Sequence, residues 1–256
     1  MIRIAYVGHA TVQVEAGGTR LLTDPILRRR VAHLRRIVPL PPLQELRQPD
    51  AVLISHAHLD HLDPPSLRLL RPCPVVAPRG CGRVLERAGL GEVTEAVPGE
   101  RLRIGATEVT AALLAHDGRR HPLSGARETL GYFVEGPERV FFAGDTDLFD
   151  GMRAFAGGLD VALLPIWGWG ARVGRGHLDP ASAARAAALL EPRVAVPIHW
   201  GTLASPRAPW RNDPARPARA FVRQMAALAD AVEVRVVSPG GSTNIRRGDA
   251  HGFSDL

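Results

Sequence analysis

The segment at residues 56–61, His-Ala-His-Leu-Asp-His, holds four side chains of the types that bind metal ions. It directly follows AVLIS, a short apolar run typical of a buried strand. In an extended or turning loop the side chains at positions 56 and 58 point the same way, and those at 60 and 61 reach a neighbouring point. The loop could therefore supply two imidazoles to one ion, and a carboxylate and an imidazole to a second.

Three more candidate ligands each follow an apolar segment typical of a strand. His116 follows VTAALLA, Asp145 follows RVFFAG and His199 follows RVAVPI. Because open α/β sheets bind ligands at the carboxyl edge of their strands, separate strands can deliver these groups to one point. His121 is an alternative to His116, but it lies in a polar loop, and we favour His116 because it directly adjoins the strand.

These residues predict two nitrogen-rich metal sites that share one carboxylate. The first ion would be held by three imidazoles and a carboxylate, those of His56, His58, His116 and Asp145. The second would be held by two imidazoles and two carboxylates, those of Asp60, His61, His199 and the same Asp145. Such nitrogen and oxygen ligands favour Zn²⁺, with Mn²⁺ or Fe²⁺ as alternatives. Two such ions can bridge a hydroxide and lower its pKa to near neutrality, and that hydroxide would attack phosphorus or a carbonyl carbon.

Other polar residues are predicted to assist these ligands or the reaction. His9 and Asp24 also follow strands, and we expect them to orient the ligands, although Asp24 could instead form a turn. Asp60 could also orient the nucleophile or carry its proton. His177 lies two residues before Asp179, a predicted helix N-cap, and is a candidate catalytic residue at an anion or leaving-group site. An exposed loop histidine is the alternative interpretation.

Four residues are candidates for binding a small-molecule substrate. Arg119 and Arg120 follow His116 and could hold a phosphate or carboxylate in bidentate fashion, although a solvated turn fits them equally well. Trp167 and Trp169 stand among glycines after a strand. They could wall an apolar substrate pocket or serve ordinary packing.

The composition excludes several classes of protein. The chain has 256 residues, 45% of them hydrophobic, and no apolar run approaches the roughly 18 residues that a transmembrane helix needs. Its start lacks the apolar core of a signal peptide, and its two cysteines make no disulfide framework, so we expect a cytoplasmic protein. The net charge of +6 comes from scattered arginines without lysine, which is typical of GC-rich codon usage and does not favour nucleic acid as a partner. A homo-oligomer is compatible with the sequence.

Strand and helix patterns interleave along the chain without a break in composition. Asp63 and Asp179, each followed by proline, are predicted N-caps of helices. The basic, proline-rich stretch at 28–49 is predicted to be a long surface loop. The interleaving predicts a single α/β domain over residues 1–245 and a polar tail at 246–256, for which we expect disorder.

The motif HAHLDH matches the H-x-H-x-D-H signature of the metallo-β-lactamase superfamily, and the likeness extends over residues 4–245. The chain resembles the branch that contains the N-acyl-phosphatidylethanolamine phospholipase D and ascorbate-6-phosphate lactonase families in YVGHATVQVE, LLTDPIL, FFAGDTD, GHLDPASAA and PIHWGT. The resemblance implies an αβ/βα four-layer sandwich, with two mixed β-sheets face to face, flanking helices and metals at the sheet edge. It also assigns the same seven metal ligands.

The predicted function is that of a dinuclear metal-dependent hydrolase acting on an ester-type bond. A phosphodiester is favoured, and a lactone is the first alternative. A nuclease is less favoured, because nucleases with this signature usually carry an extra domain or arm, for which only the short loop at 28–49 is a candidate. A metal-binding scaffold without turnover is a third class, against which the intact ligand set argues.

Overall fold

The structure is a computed structural model that describes residues 1–40, 42–46, 48–70, 72–120, 127–206, 208 and 212–246. In chain order its strands are β1 (Ile2–Gly8), β2 (Thr11–Ala16), β3 (Thr19–Thr23), β4 (Arg30–Val31), β5 (Leu34–Arg36), β6 (Ala51–Leu53), β7 (Val75–Pro78), β8 (Val93–Ala96), β9 (Arg101–Ile104), β10 (Thr107–Leu113), β11 (Leu130–Glu135), β12 (Arg139–Phe142), β13 (Val161–Pro165), β14 (Val194–Ile198), β15 (Leu203–Ala204), β16 (Glu233–Val234) and β17 (Gly241–Ile245). Its α-helices are α1 (Pro64–Leu67), α2 (Gly82–Glu86), α3 (Pro180–Leu190) and α4 (Arg216–Leu228). Short 3₁₀ turns lie at Leu43–Glu45 and Asp150–Phe155.

Two large mixed sheets form the body of the molecule. The first has the order β17-β1-β2-β3-β6-β7-β8, the second has the order β16-β14-β13-β12-β11-β10-β9, and β15-β5-β4 form a small third sheet. Side chains alternate along the first sheet because successive residues of a strand point to opposite faces. Leu21 and Leu53 therefore join the core shared with the second sheet, whereas Leu22 and Val52 pack with α1 and α2.

The second sheet is covered on both of its faces. All residues of β13 and β14 are buried, which is typical of parallel strands between two layers. Helices α3 and α4 pack against each other, and α3 also contacts β13, with buried alanines that let helix and strand approach closely. The four layers confirm the predicted αβ/βα sandwich.

Both predicted N-caps begin helices. The Asp63 carboxylate accepts a hydrogen bond from the Ser66 backbone N–H at 3.1 Å and starts α1. Asp179 and Ser182 form a reciprocal capping box at the start of α3, with Pro180 in the first turn. These caps satisfy backbone N–H groups that a helix start leaves unpaired.

The strand directions bring several carboxyl ends to one edge. In the first sheet, β1 and β3 are both antiparallel to β2, and β6 is parallel to β3. In the second sheet, β10 and β12 are both antiparallel to β11, and β13 and β14 run parallel to β12. The backbone bonds His199 N to His9 O, at 2.7 Å, and Leu130 N to Ser55 O, at 2.9 Å, join the two sheets near this edge. Residues that follow these strands therefore meet there.

Several elements differ from the sequence-based expectation. The stretch at 28–49 is not only a loop, because β4 and β5 form a hairpin that pairs with β15. The predicted last strand, VEVRVV, pairs only at Glu233–Val234. Strands β8 and β17 are polar and partly exposed at sheet edges, so they lack the apolar pattern on which strand prediction depends. The end of the polar tail, at 247–256, lies outside the described residues.

Within the described part of the chain, no helix combines the length and the apolar character that a membrane crossing requires.

Candidate metal centre

The carboxyl ends of six strands deliver the predicted site residues to the shared edge. They come after β1, β3, β6, β10, β12 and β14, and are His9, Asp24, the loop at 56–61, His116, Asp145 and His199, respectively. Three of them turn the chain sharply, since His9, Asp24 and His199 have φ of 60°, 34° and 63°. This left-handed backbone costs a non-glycine residue about 1 kcal/mol or more and is common at functional sites. The predicted convergence of these residues is thus present in the structure.

Three imidazoles form a first group of nitrogen atoms. His58 Nδ1 lies 2.9 Å from His56 Nε2 and 3.3 Å from His116 Nε2. Two ligands of a tetrahedral zinc ion with bonds of about 2.0–2.1 Å lie roughly 3.3 Å apart. The spacing within this group therefore suits a common cation, and the three residues could hold a metal ion.

A second group lies on the other side of Asp145. His61 Nε2 is 3.2 Å from His199 Nε2 and 3.9 Å from Asp60 Oδ2. His9 Nε2 lies 3.1 Å from Asp60 Oδ2, and its ring centroid lies 3.9 Å from that of His199. These four side chains could together hold a metal ion. His9 thus adjoins the second group directly and contacts the carboxylate of Asp60, one of the predicted ligands.

The Asp145 carboxylate stands between the two groups. Its Oδ2 lies 3.1 Å from His61 Nε2 and 3.9 Å from His56 Nε2, and its Oδ1 lies 3.2 Å from His199 Nε2. The Oδ1 atom is buried, yet it accepts no hydrogen bond from the described residues. A buried oxygen without a donor is costly, so this atom fits a position beside a cation.

In four of the imidazoles, Nδ1 faces a hydrogen-bond acceptor and Nε2 faces the cluster. His61 Nδ1 lies 2.7 Å from Asp24 Oδ2, and His56 Nδ1 lies 2.9 Å from Ser55 Oγ. The Nδ1 atoms of the other two rings donate to backbone carbonyls, at 2.7 Å from His116 to Gly176 O and at 2.9 Å from His199 to Trp167 O. A neutral imidazole has one N–H, so a ring that donates through Nδ1 presents a lone pair at Nε2. Lone pairs and carboxylate oxygens that face one another at about 3 Å are the donor set of a metal site.

Burial keeps most of these rings neutral at physiological pH. It lowers the pKa of His58 to about 4 and that of His199 to about 3, and it lowers the pKa of His56 well below its usual value. Burial also lowers the pKa of His61, but the carboxylates of Asp145 and Asp24 outweigh it and raise that pKa well above the usual value. Without a cation, His61 thus supplies a positive charge between the two carboxylates.

His177 is partly buried and contacts the Asp145 carboxylate, so it is not the exposed loop histidine of the alternative interpretation. Its Nε2 is 3.3 Å from Asp145 Oδ2, and its Nδ1 donates to Arg175 O at 3.1 Å. Burial lowers its pKa, but the Asp145 carboxylate raises it to about 9 overall. With His116 and Asp145 it forms a further group that could hold a metal ion, so its position allows either a ligand or a proton donor.

A cleft of about 580 Å³ opens beside the first group. Arg119 and Arg120, whose role in substrate binding stays a prediction, line it together with His58, Ala115, His116, Asp117, Arg175, Gly176 and His177. Arg119 pairs with the neighbouring Asp117, at 2.7 Å from Nε to Oδ2. Arg120 Nη1 donates to Ala57 O at 3.0 Å and to Leu62 O at 3.1 Å. Arg120 therefore also braces the loop at 56–61, which the sequence did not indicate.

The two predicted tryptophans lie away from this cleft. Trp167 is among the residues that line a separate cavity at the start of α3 and α4, and Trp169 packs edge-on against His33, at 5.0 Å between ring centroids. Among the residues described around the cleft, neither contributes to its wall. The backbone carbonyl of Trp167 instead accepts the hydrogen bond from His199 Nδ1. The alternative ligand His121 lies outside the described residues.

Ser55 is a buried site residue that sequence reasoning missed. Its Oγ donates to Asp24 Oδ2 at 2.5 Å and accepts from His56 Nδ1 at 2.9 Å, so one hydroxyl links both groups of imidazoles. Its position directly before the histidine motif could have indicated a role in the site. Serine is common at strand ends, however, so this position alone did not distinguish it.

We expect Ser55→Ala to weaken metal binding about tenfold or more while the protein stays folded, because His56 loses the acceptor that fixes its ring. Metal competition with a chromophoric chelator measures this change. Ser242→Ala, which removes an exposed hydroxyl on β17, is the control and should bind metal like the unmodified chain. Equal affinity of both variants would contradict the role given to Ser55.

Comparison with known proteins agrees with this architecture. A family profile described as a beta-lactamase superfamily domain matches residues 19–200. The chain belongs to the metallo-β-lactamase superfamily. A superfamily relative from Deinococcus radiodurans, named UPF0173 metal-dependent hydrolase, is 33% identical over 253 residues, which cover 96% of this chain and 100% of the relative.

Two solved structures share the superfamily fold. Igni18, a metallo hydrolase from Ignicoccus hospitalis, superposes with a TM-score of 0.71 at 23% identity, over 94% of this chain and 97% of that one. A possible metal-dependent hydrolase from Veillonella parvula has a TM-score of 0.75 at 17% identity, over 95% of this chain and 99% of that one. At these identities the likeness shows the fold.

Proposed function

We propose that this member of the superfamily is a hydrolase that holds two divalent metal ions and cleaves an ester-type bond. A phosphodiester is the favoured substrate class and a lactone is the alternative. The observation that carries the proposal is the clustering of imidazole nitrogens around the buried Asp145 carboxylate, whose Oδ1 accepts no hydrogen bond from the described residues. The name of the relative from Deinococcus radiodurans, a metal-dependent hydrolase, supports it.

The two groups of side chains divide the ligands between the ions. The first ion would be held by His56, His58, His116 and Asp145. The second would be held by Asp60, His61, His199 and Asp145. Nitrogen-rich sites of this kind favour Zn²⁺ over harder cations, with Mn²⁺ or Fe²⁺ as alternatives. When bound, such ions lower the pKa of water and polarise the substrate oxygen.

The remaining residues position groups and move protons. Burial alone would raise the pKa of Asp60, but the hydrogen bond from His9 lowers it below its usual range, so the carboxylate stays ionised and can orient water. In the metal-free chain burial lowers the pKa of His177 but the Asp145 carboxylate raises it to about 9 overall, and the His177 Nε2, 3.3 Å from Asp145 Oδ2, can donate a proton to a leaving group bound beside it. Asp24 and the Trp167 carbonyl hold His61 and His199 in the required orientation.

Metal binding should release protons near neutral pH. His61 has a pKa well above 6.5, so it is protonated in the metal-free chain and must lose its Nε2 proton to become a ligand. The rings of His56, His58 and His199 are already neutral and release none. We expect about one proton or more per chain at about pH 7.5, measured by zinc titration calorimetry in buffers of different ionisation enthalpy.

The variant Asp24→Asn tests whether the released protons come from His61. It removes a carboxylate that raises the pKa of His61, so fewer protons should leave when zinc binds. The release should also decrease as the pH rises through the pKa of His61, because the ring is then already neutral. A proton count that is the same in both proteins would contradict the place of His61 in the site.

The hydrolase proposal is tested with metal-replete protein and a panel of substrates. We expect turnover of bis(p-nitrophenyl) phosphate, or of simple lactones, that is lost with a chelator and restored by metal. Cleavage of RNA in preference to both would support the nuclease class instead. Bound metal without turnover of any panel member would support a scaffold and overturn the proposal.

A further inference from the structure

We propose that Arg175 forms a subsite for a second anionic group of the substrate, at a distance from the bond that is cleaved. The inference rests on the proposed hydrolase function and adds a substrate class, an ester that carries a carboxylate or a phosphate on its non-reacting part. Arg175 lines the cleft beside the first group of imidazoles.

The backbone around Arg175 is fixed by the metal-site residues. Its own carbonyl accepts a hydrogen bond from His177 Nδ1 at 3.1 Å, and the next carbonyl, that of Gly176, accepts one from His116 Nδ1 at 2.7 Å. Gly176 has a φ of 79°, and a Cβ there would lie 3.0 Å from His116 Nδ1, so only glycine fits this close approach. The segment thus holds the Cα of Arg175 at the rim of the cleft, between two rings of the site.

Of the three arginines that line the cleft, Arg175 has the guanidinium least engaged by neighbouring groups. Arg119 is neutralised by Asp117, and Arg120 uses Nη1 to hold the carbonyls of Ala57 and Leu62. Arg175 is exposed, and among the described residues its guanidinium makes no hydrogen bond or ion pair that would occupy it. The lining therefore carries more positive than negative charge, since Asp117 is its one acidic member among the described residues.

This arrangement favours one class of ligand. A substrate whose scissile group lies at the metal site can extend a second anion along the cleft towards Arg175. A guanidinium binds carboxylate or phosphate through two parallel hydrogen bonds, which gives orientation as well as affinity. A neutral extension would leave the guanidinium in water and gain nothing from it.

Binding of a matched pair of phosphonates tests the subsite without catalysis. Ethylphosphonate and phosphonopropionate share the phosphonate and differ by a remote carboxylate, so a comparison of their dissociation constants on the metal-loaded protein isolates that carboxylate. We expect phosphonopropionate to bind about fivefold or more tightly, as for one charge-assisted pair in a partly exposed site. Arg175→Gln should remove this preference. Arg172→Gln, at an exposed arginine of the same loop that does not line the cleft, should keep it.

Turnover of a matched pair of esters separates this inference from the proposed function. Ethyl p-nitrophenyl phosphate and carboxyethyl p-nitrophenyl phosphate have the same leaving group. We expect a lower KM for the second ester in the unmodified chain and a KM raised towards that of the first in Arg175→Gln, with kcat little changed. Cleavage of neither ester counts against the proposed phosphodiesterase, while the phosphonates still decide on Arg175. The subsite is overturned if the two phosphonates bind equally well, or if neither binds. It is also overturned if the preference for phosphonopropionate persists in Arg175→Gln.

Discussion

Replacing Asp145 by asparagine should lower kcat/KM by about a thousandfold or more, which corresponds to about 4 kcal/mol of transition-state stabilisation. Asparagine has almost the same shape, but it carries no charge and places an amide group where a carboxylate oxygen now faces His199 Nε2 at 3.2 Å. A neutral side chain supplies no negative charge to balance two metal ions. We therefore expect fewer than two metal ions per chain, counted by plasma emission spectrometry, together with the loss of rate.

The control for this variant is Asp230→Asn, which makes the same chemical change at an exposed position after α4. It should keep the metal content and the rate of the unmodified chain. Circular dichroism should show that both variants are folded. If Asp145→Asn keeps two ions and full activity, Asp145 does not join the two groups and the proposed centre is wrong.

Replacing His58 by alanine should remove one ion selectively. The first group would retain two imidazoles, those of His56 and His116, whereas the contact between His61 and His199 in the second group is untouched. We expect the metal content to decrease from about two ions per chain to about one, and hydrolysis to decrease by about a hundredfold to a thousandfold. Because His58 is only partly buried, the variant should fold.

His33→Ala is the matched control, since His33 is exposed and its ring contacts Trp169 rather than the centre. It should bind metal and turn over substrate as the unmodified chain does. Two ions and full rate in His58→Ala would refute the ligand assignment. Loss of both ions would instead show that the two groups bind metal cooperatively.

Much of the architecture was predictable because apolar periodicity and helix caps are local signals. Asp63 and Asp179 indicated helix starts, and runs such as DVALLP and RVAVPI indicated buried strands, as β13 and β14 confirm. The elements that prediction missed are polar sheet-edge strands and the β4–β5 hairpin. These elements are held by pairing with distant strands, and their own residues carry little pattern.

The candidate site likewise has features that local sequence predicted and features that it did not. The spacing of the histidine motif and the placement of His116, Asp145 and His199 after strands indicated which side chains could meet, and their role as ligands stays a prediction. Trp167 and Trp169 were predicted as walls of a substrate pocket; Trp167 lines a cavity separate from the cleft beside the imidazoles, and their role in substrate binding stays a prediction. Arginine next to a ligand looked like a substrate contact, whereas Arg120 also braces the loop through two carbonyls.

The sequence by itself determined the class of fold, the superfamily and the set of strand-end residues able to bind metal, because these follow from local pattern and residue type. Only the tertiary structure decided how the rings are oriented. The carbonyls of Gly176 and Trp167 and the hydroxyl of Ser55 hold His116, His199 and His56. Every residue has a backbone carbonyl, so no residue type marks the few that face an imidazole; the path of the folded chain selects them.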